Sequence, residues 1–182
     1  MEDISLHILD IAENSISAKA ERIEISVYED QKKDLLKIEI RDNGEGMDKE
    51  TLKKALDPFF STRKTRRFGF GLSLLEQSAS AANGSFFIQS EPGKGTCTTA
   101  SFQASHIDSK PLGDISQTIT TLILGHPEIR FIYTHHFNDD EYRIDTQEIK
   151  VQLEGIPINS LEVIKVIRKN IKDGIDQLRR KK

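Results

Sequence analysis

A carboxylate and an amide side chain stand four residues apart in the first segment with helical periodicity. Asp10 and Asn14 project from the same side of such a helix, because about one turn separates them. An asparagine oxygen is a hard ligand that suits Mg²⁺ beside phosphate and water oxygens, and an aspartate can act as a general base. Asp10 also fits a plain surface charge, so both roles stay open. His7 shares the stripe, where a packed or polar histidine is expected.

A second group of residues closes the second predicted strand, in the run Asp42-Asn43-Gly44-Glu45-Gly46. The Asp42 carboxylate can accept a hydrogen bond from an exocyclic amine, such as the one adenine presents. Gly44 and Gly46 let the backbone turn sharply and approach a flat ring, because neither residue has a β-carbon. Taken alone, the run indicates a surface turn of a hairpin. Its place between two other groups favours a site for a nucleotide base.

A third group, Gly69-Phe70-Gly71-Leu72, opens a predicted helix after a basic loop. Unpaired amides at a helix start, together with the helix dipole, favour phosphate. The basic side chains of the loop either lie in solvent or contact that phosphate, and we expect at least one contact. The four cations are Arg63, Lys64, Arg66 and Arg67. Farther along, Thr96 offers a hydroxyl near the base or to a structural water.

The remaining periodicity predicts the elements that must hold these groups. The predicted helices are 4–18, a short one capped by Asp48 and ending at Leu56, 71–82, 114–124, a short one from Thr146, and 159–178. The predicted strands are 22–29, 35–42, 85–91, 96–104, 129–135 and 141–145. This pattern indicates an α+β fold in which residues 1–105 form helices over one mixed sheet. Residues 106–182 are expected to form a small C-terminal α+β module that starts with a linker and ends in a long amphipathic helix.

Read in order with two further runs, these groups resemble the ATP-binding domain of the gyrase, Hsp90, histidine-kinase and MutL superfamily. DIAENSISA resembles its N box, DNGEGM its first glycine box and DPFFSTR its phenylalanine-containing box. RFGFGLSL is similar to the second glycine box, and PGKGTCTTASF to the closing glycine-threonine strand. The runs span nearly all of residues 4–103, and the PFFST segment is most similar to the histidine-kinase branch. The resemblance implies a Bergerat-type two-layer sandwich.

The resemblance also implies a role for each matching position, with ATP and Mg²⁺ as the bound species. Asn14 would bind Mg²⁺, Asp42 would contact adenine, and Thr96 would support the adenine end. Asp10 stands where the catalytic base belongs. The other implied nucleotide-binding residues are Gly44, Gly46 and Met47 at the base, Phe59, Ser61, Thr62 and Lys64 in the lid segment, and Gly69, Phe70, Gly71 and Leu72 at the phosphates.

Two departures from the family pattern bear on the fate of ATP. Members that hydrolyse ATP carry a glutamate four residues before the N-box asparagine, whereas Asp10 is shorter by one methylene. Only about nine residues precede Asp10, so we do not expect the phosphoacceptor helices of a histidine kinase. These features favour an ATP-binding regulatory protein that acts with a protein partner. An anti-sigma-like serine kinase and a non-catalytic ATP-driven switch are the alternatives, and a DNA-repair clamp ranks behind them.

The composition restricts the expected partners and the expected location of the protein. The 26 basic and 29 acidic side chains give a net charge of −3, which does not suggest a dedicated nucleic-acid binder. The single cysteine excludes an internal disulfide framework and fits a reducing compartment. No apolar run has the length of a membrane span, so the expected location is the cytoplasm. The last helix is expected to pack on its own module, and a partner or a second copy of the chain is the alternative.

Overall fold

The computed structural model describes residues 3–56 and 71–180. The helices are α1 (Ile4–Ser17), α2 (Lys49–Ala55), α3 (Gly71–Ala81), α4 (Ile115–Gly125), α5 (Thr146–Gln152) and α6 (Leu161–Arg180). The strands are β1 (Arg22–Asp30), β2 (Leu35–Asp42), β3 (Ser85–Glu91), β4 (Gly95–Gln103), β5 (Arg130–Phe137) and β6 (Asp140–Asp145). Each element lies within two residues of its predicted bounds, and the α+β prediction is confirmed.

The strands form one mixed sheet in the order β3-β4-β2-β1-β5-β6. Alternation decides which face of the sheet is covered: Ile23, Ile25 and Val27 of β1 are buried, while the residues between them are partly exposed. Helices α1 and α3 pack on this apolar face, and α4 lies between α1 and α6. The result is a layer of helices over a sheet.

The C-terminal strands continue the same sheet. Strand β5 pairs in parallel with β1 from Arg22 opposite Arg130 to Glu29 opposite Phe137, and β6 pairs antiparallel with β5. Both predicted parts of the chain therefore contribute strands to a single sheet. The division at residue 105 into two folding units stays a prediction.

The linker and Asp3 fix the position of the start of α1. The backbone amides of Ile4 and Ser5 donate to the carbonyls of Pro111 and Leu112 at 3.0 and 2.8 Å, so linker residues satisfy amides that a helix start leaves unpaired. Asp3 caps the same end by accepting from the Leu6 amide at 3.0 Å. The N-terminal end of the helix that carries Asp10 and Asn14 is thus held by Asp3 and by the linker.

Helix α6 packs with one apolar stripe against the rest of the fold, as predicted. The buried members of the stripe are Ile167, Ile171, Ile175 and Leu178, whereas Leu161 at the helix start is 66% exposed. Arg168 donates at 2.9 Å to the carboxylate of Asp114, which caps the start of α4. Among the described residues, no helix combines the length and apolar character needed to cross a membrane.

Candidate functional site

Asp42, at the end of β2, is a buried carboxylate held by three hydrogen bonds. Its Oδ1 atom accepts from the amides of Gly44 at 2.9 Å and Thr96 at 3.2 Å, and its Oδ2 atom accepts from the Ser15 hydroxyl at 2.6 Å. Hydrogen bonds to an ionised carboxylate are stronger than neutral ones. Asp42 is therefore fixed in orientation on the helix-covered side of the sheet, where it can accept a further hydrogen bond.

The glycine run after Asp42 is pressed against the turn between β3 and β4. Gly46 has a φ of +66°, and a Cβ placed on it would lie 1.9 Å from the Glu91 carbonyl oxygen. Gly95 has a φ of +91°, and its Cβ would lie 2.0 Å from the Asp42 carbonyl oxygen. Only glycine combines this left-handed backbone with such an approach. The two segments therefore form one compact wall around Asp42.

The other side of the glycine run is held to the end of α1. The Glu45 amide donates to the Ala18 carbonyl at 2.8 Å. Asn43 accepts from the amides of Glu21 and Arg22 at 2.9 and 2.8 Å. These contacts give Asn43 a structural role and fix the glycine run relative to α1.

The start of α3 lies directly against the two polar side chains of α1. Gly71 is buried, and a Cβ placed on it would lie 1.8 Å from Asp10 Oδ2 and 3.7 Å from Asn14 Nδ2. A helix start carries partial positive charge and favours anions. Because Gly71 has no side chain, the Asp10 carboxylate lies directly against the start of α3, with the Asn14 amide nearby.

The side-chain groups at this contact are of the kind that suits Mg²⁺ bound together with phosphate. No cluster of three or more histidine, cysteine, aspartate or glutamate side chains in residues 3–56 and 71–180 can hold a metal ion alone. Mg²⁺ usually takes one or two protein oxygens and completes its shell with water and phosphate. Asn14 can supply such an oxygen at the start of α3.

Hydroxyl groups line the Asp42 end of the site. The Thr96 hydroxyl lies 2.8 Å from that of Ser90 on the paired strand, and Ser90 Oγ accepts from the Met47 amide at 2.8 Å. Sequence reasoning placed Thr96 and Met47 here but missed Ser15 and Ser90. The signal for Ser15 was a polar residue in the apolar stripe of α1, whereas nothing in the sequence distinguishes Ser90.

His7 and the adjacent pair His135 and His136 have structural roles. His7 is fully buried, its Nε2 lies 3.2 Å from the Ser78 hydroxyl, and its Nδ1 has no hydrogen-bond partner among the described residues. Burial lowers the pKa of His7 to about 4, so this histidine is neutral. The prediction of a packed histidine is confirmed. The adjacent histidines His135 and His136 point to opposite faces of β5, because His135 is buried against Glu29 and His136 stacks on Tyr28.

Part of the predicted site lies outside the described residues. Gly71 and Leu72 begin α3 as predicted. The predicted site residues that lie outside the described ranges are Phe59, Ser61, Thr62, Lys64, Gly69 and Phe70, and their roles stay predictions. The described site therefore consists of Asp42 with its glycine and hydroxyl neighbours, and of Asp10 and Asn14 at the start of α3.

Comparisons with known proteins agree with this arrangement. Residues 2–106 match the family described as "Histidine kinase-, DNA gyrase B-, and HSP90-like ATPase", which is more than half of the chain. The sensor protein kinase FleS of Pseudomonas aeruginosa is 38% identical over 92 residues, covering 50% of this chain and 23% of that protein. The sensor histidine kinase YxdK of Bacillus subtilis is 32% identical over 90 residues, covering 47% and 27%. The chain thus spans about a quarter of the length of these relatives.

Solved structures show the same fold at low sequence identity. The N-terminal domain of a DNA repair protein superposes with a TM-score of 0.56 at 18% identity, covering 79% of this chain and 52% of that one. The Aquifex aeolicus MutL ATPase domain complexed with ADP gives a TM-score of 0.50 at 18% identity, covering 85% and 68%. The predicted fold and the predicted histidine-kinase type of ATPase domain are both confirmed. The chain belongs to the family of histidine kinase-, DNA gyrase B- and HSP90-like ATPases.

Proposed function

We propose that this protein binds Mg-ATP between α1, α3 and the glycine run after β2, and that it acts as an ATP-dependent regulatory module with a protein partner. The observation that carries the proposal is the contact of Asp10 and Asn14 with the start of α3. A fixed carboxylate, Asp42, accepts from Ser15, the residue that directly follows Asn14 on α1. Family membership and an ADP-bound structural neighbour support the choice of nucleotide.

At the base end, Asp42 would accept a hydrogen bond from the adenine amine. The Gly44 and Gly46 backbone would border the ring, and its close contacts with Ala18 and Glu91 would hold it in place. At the phosphate end, the amides of Gly71 and Leu72 would meet phosphate oxygens and Asn14 would hold Mg²⁺. The ion would neutralise phosphate charge when bound.

Asp10 is the proposed general base. Its carboxylate lies beside the start of α3, where phosphate is expected. The base would take a proton from the attacking oxygen, which belongs to water in hydrolysis and to a hydroxyl in transfer to a protein. The second candidate is transfer to a protein hydroxyl, of the serine-kinase kind. The sensor-kinase relatives support transfer of phosphate but not the choice of serine. A purely conformational switch would need no base.

A protein partner, or a second copy of the chain bound through the C-terminal region, is part of the proposal. Support comes from large apolar side chains that are more than half exposed on α5, α6 and the turn between them. They are Val151, Ile156, Leu161 and Val166. Apolar side chains exposed in this way favour protein contacts. We also propose a cytoplasmic location, which the single cysteine supports.

The test follows γ-labelled ATP with Mg²⁺, measuring free phosphate and protein-bound label together. The variants Asp42→Asn and Asp10→Asn separate binding of the base from catalysis. Release of phosphate that both variants abolish would establish an ATPase with Asp10 as its base. Binding without release or label, abolished by Asp42→Asn alone, would establish a switch or a partner-dependent kinase. Wild-type protein that does not bind ATP would refute the proposal.

A further inference from the structure

Strand β3 (Ser85–Glu91) forms one edge of the sheet, and β4 is its single strand neighbour in the described part of the chain. Edge strands present unpaired backbone amides and carbonyls, and proteins usually protect them with charged side chains, prolines or bulges. Between Ser85 and Ser90 there is neither a charged residue nor a proline, and β3 pairs with β4 without a bulge. The opposite edge, β6 (Asp140–Asp145), carries four charged side chains in six residues. Of the two edges, β3 therefore lacks the usual protection.

The side chains of β3 are apolar on both faces of the sheet. Phe87 is 67% exposed, although phenylalanine is among the residue types that are most often buried. Phe86 and Ile88 lie on the other face, where their β4 partners Ala100 and Thr98 are buried, and both are partly exposed. A strand added beside β3 would cover apolar surface on both faces, in addition to pairing with the backbone.

We infer that this edge binds a second copy of the chain, with the two β3 strands antiparallel about a twofold axis at Phe87. In this register Phe87 lies opposite Phe87 of the second copy, and Phe86 lies opposite Ile88. Ser85 lies opposite Gln89, so apolar side chains meet on both faces and polar side chains meet at the ends. A register shifted by one residue, with its axis at Ile88, would place Phe87 opposite Gln89 and lose this match.

Cross-strand pairs are the contacts that would stabilise such a dimer. Aromatic pairs and pairs of an aromatic with a β-branched residue each contribute about 0.2–1 kcal/mol in a sheet, and the proposed register contains both kinds. Closed twofold dimers, in which the same surface of each copy forms the contact, are the commonest oligomers. The edge and its apolar side chains therefore fit a second copy of β3.

The charges at this edge favour the antiparallel second copy over other strands. Parallel pairing in register would place Glu91 beside Glu91 of the second copy, and like charges opposite each other destabilise a sheet. Antiparallel pairing places the two Glu91 side chains eight residues apart, which is about 27 Å. A strand with charged side chains would find no opposite charge between Ser85 and Ser90, whereas β3 brings no charge to these positions.

This inference goes beyond the proposed function and does not depend on ATP binding. It places the second copy on β3, so the exposed apolar side chains of α5 and α6 remain for a partner of another kind.

Sedimentation equilibrium of the wild type and two lysine variants tests the inference. Phe87→Lys would place two like charges opposite each other in the dimer. Val166 on α6 is the matched control, because it is also 67% exposed. We expect a concentration-dependent dimer for the wild type and Val166→Lys, and a dimer dissociation constant at least about tenfold higher for Phe87→Lys.

Three results of this experiment would overturn the inference. Wild-type protein that stays monomeric at all concentrations would exclude the dimer. A dimer that Val166→Lys weakens and Phe87→Lys does not would place the second copy on the C-terminal region. A dimer that neither variant weakens would place it on another surface.

Disulfide cross-linking tests the register and does not require the lysine variants to fold. Cys97 pairs with Gln89 across β3 and β4, so the background is Cys97→Ser. Phe87→Cys should then cross-link two copies on mild oxidation, because Cα atoms directly opposite each other in an antiparallel pair lie about 4.5–5.5 Å apart, within the range of a disulfide. Gln89→Cys is the control, because its two copies would lie about 14 Å apart.

The cross-linking results separate the inference from the proposed function. Cross-linking at position 87 and not at position 89 would support the register. Equal cross-linking at both positions, or none at position 87 in a protein that still dimerises, would overturn it. Protein that forms this dimer but does not bind ATP would refute the proposed function alone.

Discussion

Gly46 and Gly93 form a matched pair of positions for testing how closely the glycine run packs on the β3–β4 turn. Both residues have positive φ angles, +66° and +74°. A Cβ on Gly46 would lie 1.9 Å from the Glu91 carbonyl oxygen, whereas a Cβ on Gly93 would meet nothing within 4 Å. The change Gly46→Ala therefore adds a backbone clash to the conformational strain that both substitutions introduce.

The size of the effect follows from this geometry. A left-handed backbone costs a residue with a Cβ about 1–2 kcal/mol, which is the whole loss of unfolding free energy expected for Gly93→Ala. An ordinary contact between this Cβ and the Glu91 carbonyl oxygen needs 3.4 Å, so the glycine run must move by about 1.5 Å. The oxygen belongs to the backbone, so it cannot rotate away. Overpacking of this kind costs about 1–3 kcal/mol more. The total for Gly46→Ala is then about 2–5 kcal/mol.

Urea unfolding of both variants measures this difference. Gly46→Ala should lower the unfolding midpoint clearly more than Gly93→Ala, with similar m values. It should also weaken ATP binding at least about tenfold, because the shift separates the Met47 amide from Ser90, now 2.8 Å away. Gly93→Ala should bind ATP like the wild type. Equal midpoints for the two variants would show that the close approach of Gly46 to Glu91 does not contribute to stability.

Two further predictions concern the core. The pKa of His7 is lowered to about 4 in the folded protein, so as pH falls the histidine is protonated in the unfolded chain before it is protonated in the folded one. The free energy of unfolding should therefore decrease by up to about 3 kcal/mol between about pH 6.5 and pH 4. Urea unfolding across this range should show the loss, and His7→Gln should reduce it. Gly174→Ala in α6 should destabilise the protein despite the better helix propensity of alanine, because its Cβ would lie 2.3 Å from the Tyr142 ring. Gly125→Ala is the control, since its Cβ would meet nothing within 4 Å, and equal midpoints for these two variants would contradict the close packing of α6 on Tyr142.

The helices and strands were predictable because their signals are local. Alternation in β1 and the capping of α2 by Asp48, which accepts from the Thr51 amide at 2.7 Å, depend on neighbouring residues only. The parallel pairing of β1 with β5 was not predicted. A period of two fixes which side chains of a strand are buried, but it does not identify the neighbouring strand. Residues 106–182 were therefore assigned to a separate module, although their strands join the common sheet.

The site was predictable where its residues lie on one element or in one motif. Asp10 and Asn14 meet the start of α3 because they are one turn apart, and the fixed position of Asp42 follows from its place in the glycine run. Ser90 contacts Thr96 and the Met47 amide only because β3 pairs with β4 in this register. A serine in a strand does not by itself indicate such contacts. Contacts of this kind depend on register, which the sequence does not encode locally.

Calorimetric titration of Mg-ATP into the protein and two aspartate variants tests the central claim most directly. Asp34→Asn is the control for Asp42→Asn, because Asp34 also accepts three hydrogen bonds, from the Ser105 amide at 2.8 Å, the Ser105 hydroxyl at 2.5 Å and Gln103 at 3.0 Å. We expect one Mg-dependent site in the wild type and in Asp34→Asn, and affinity lower by about tenfold to a hundredfold in Asp42→Asn. Equal affinity of Asp42→Asn and the wild type would contradict the account.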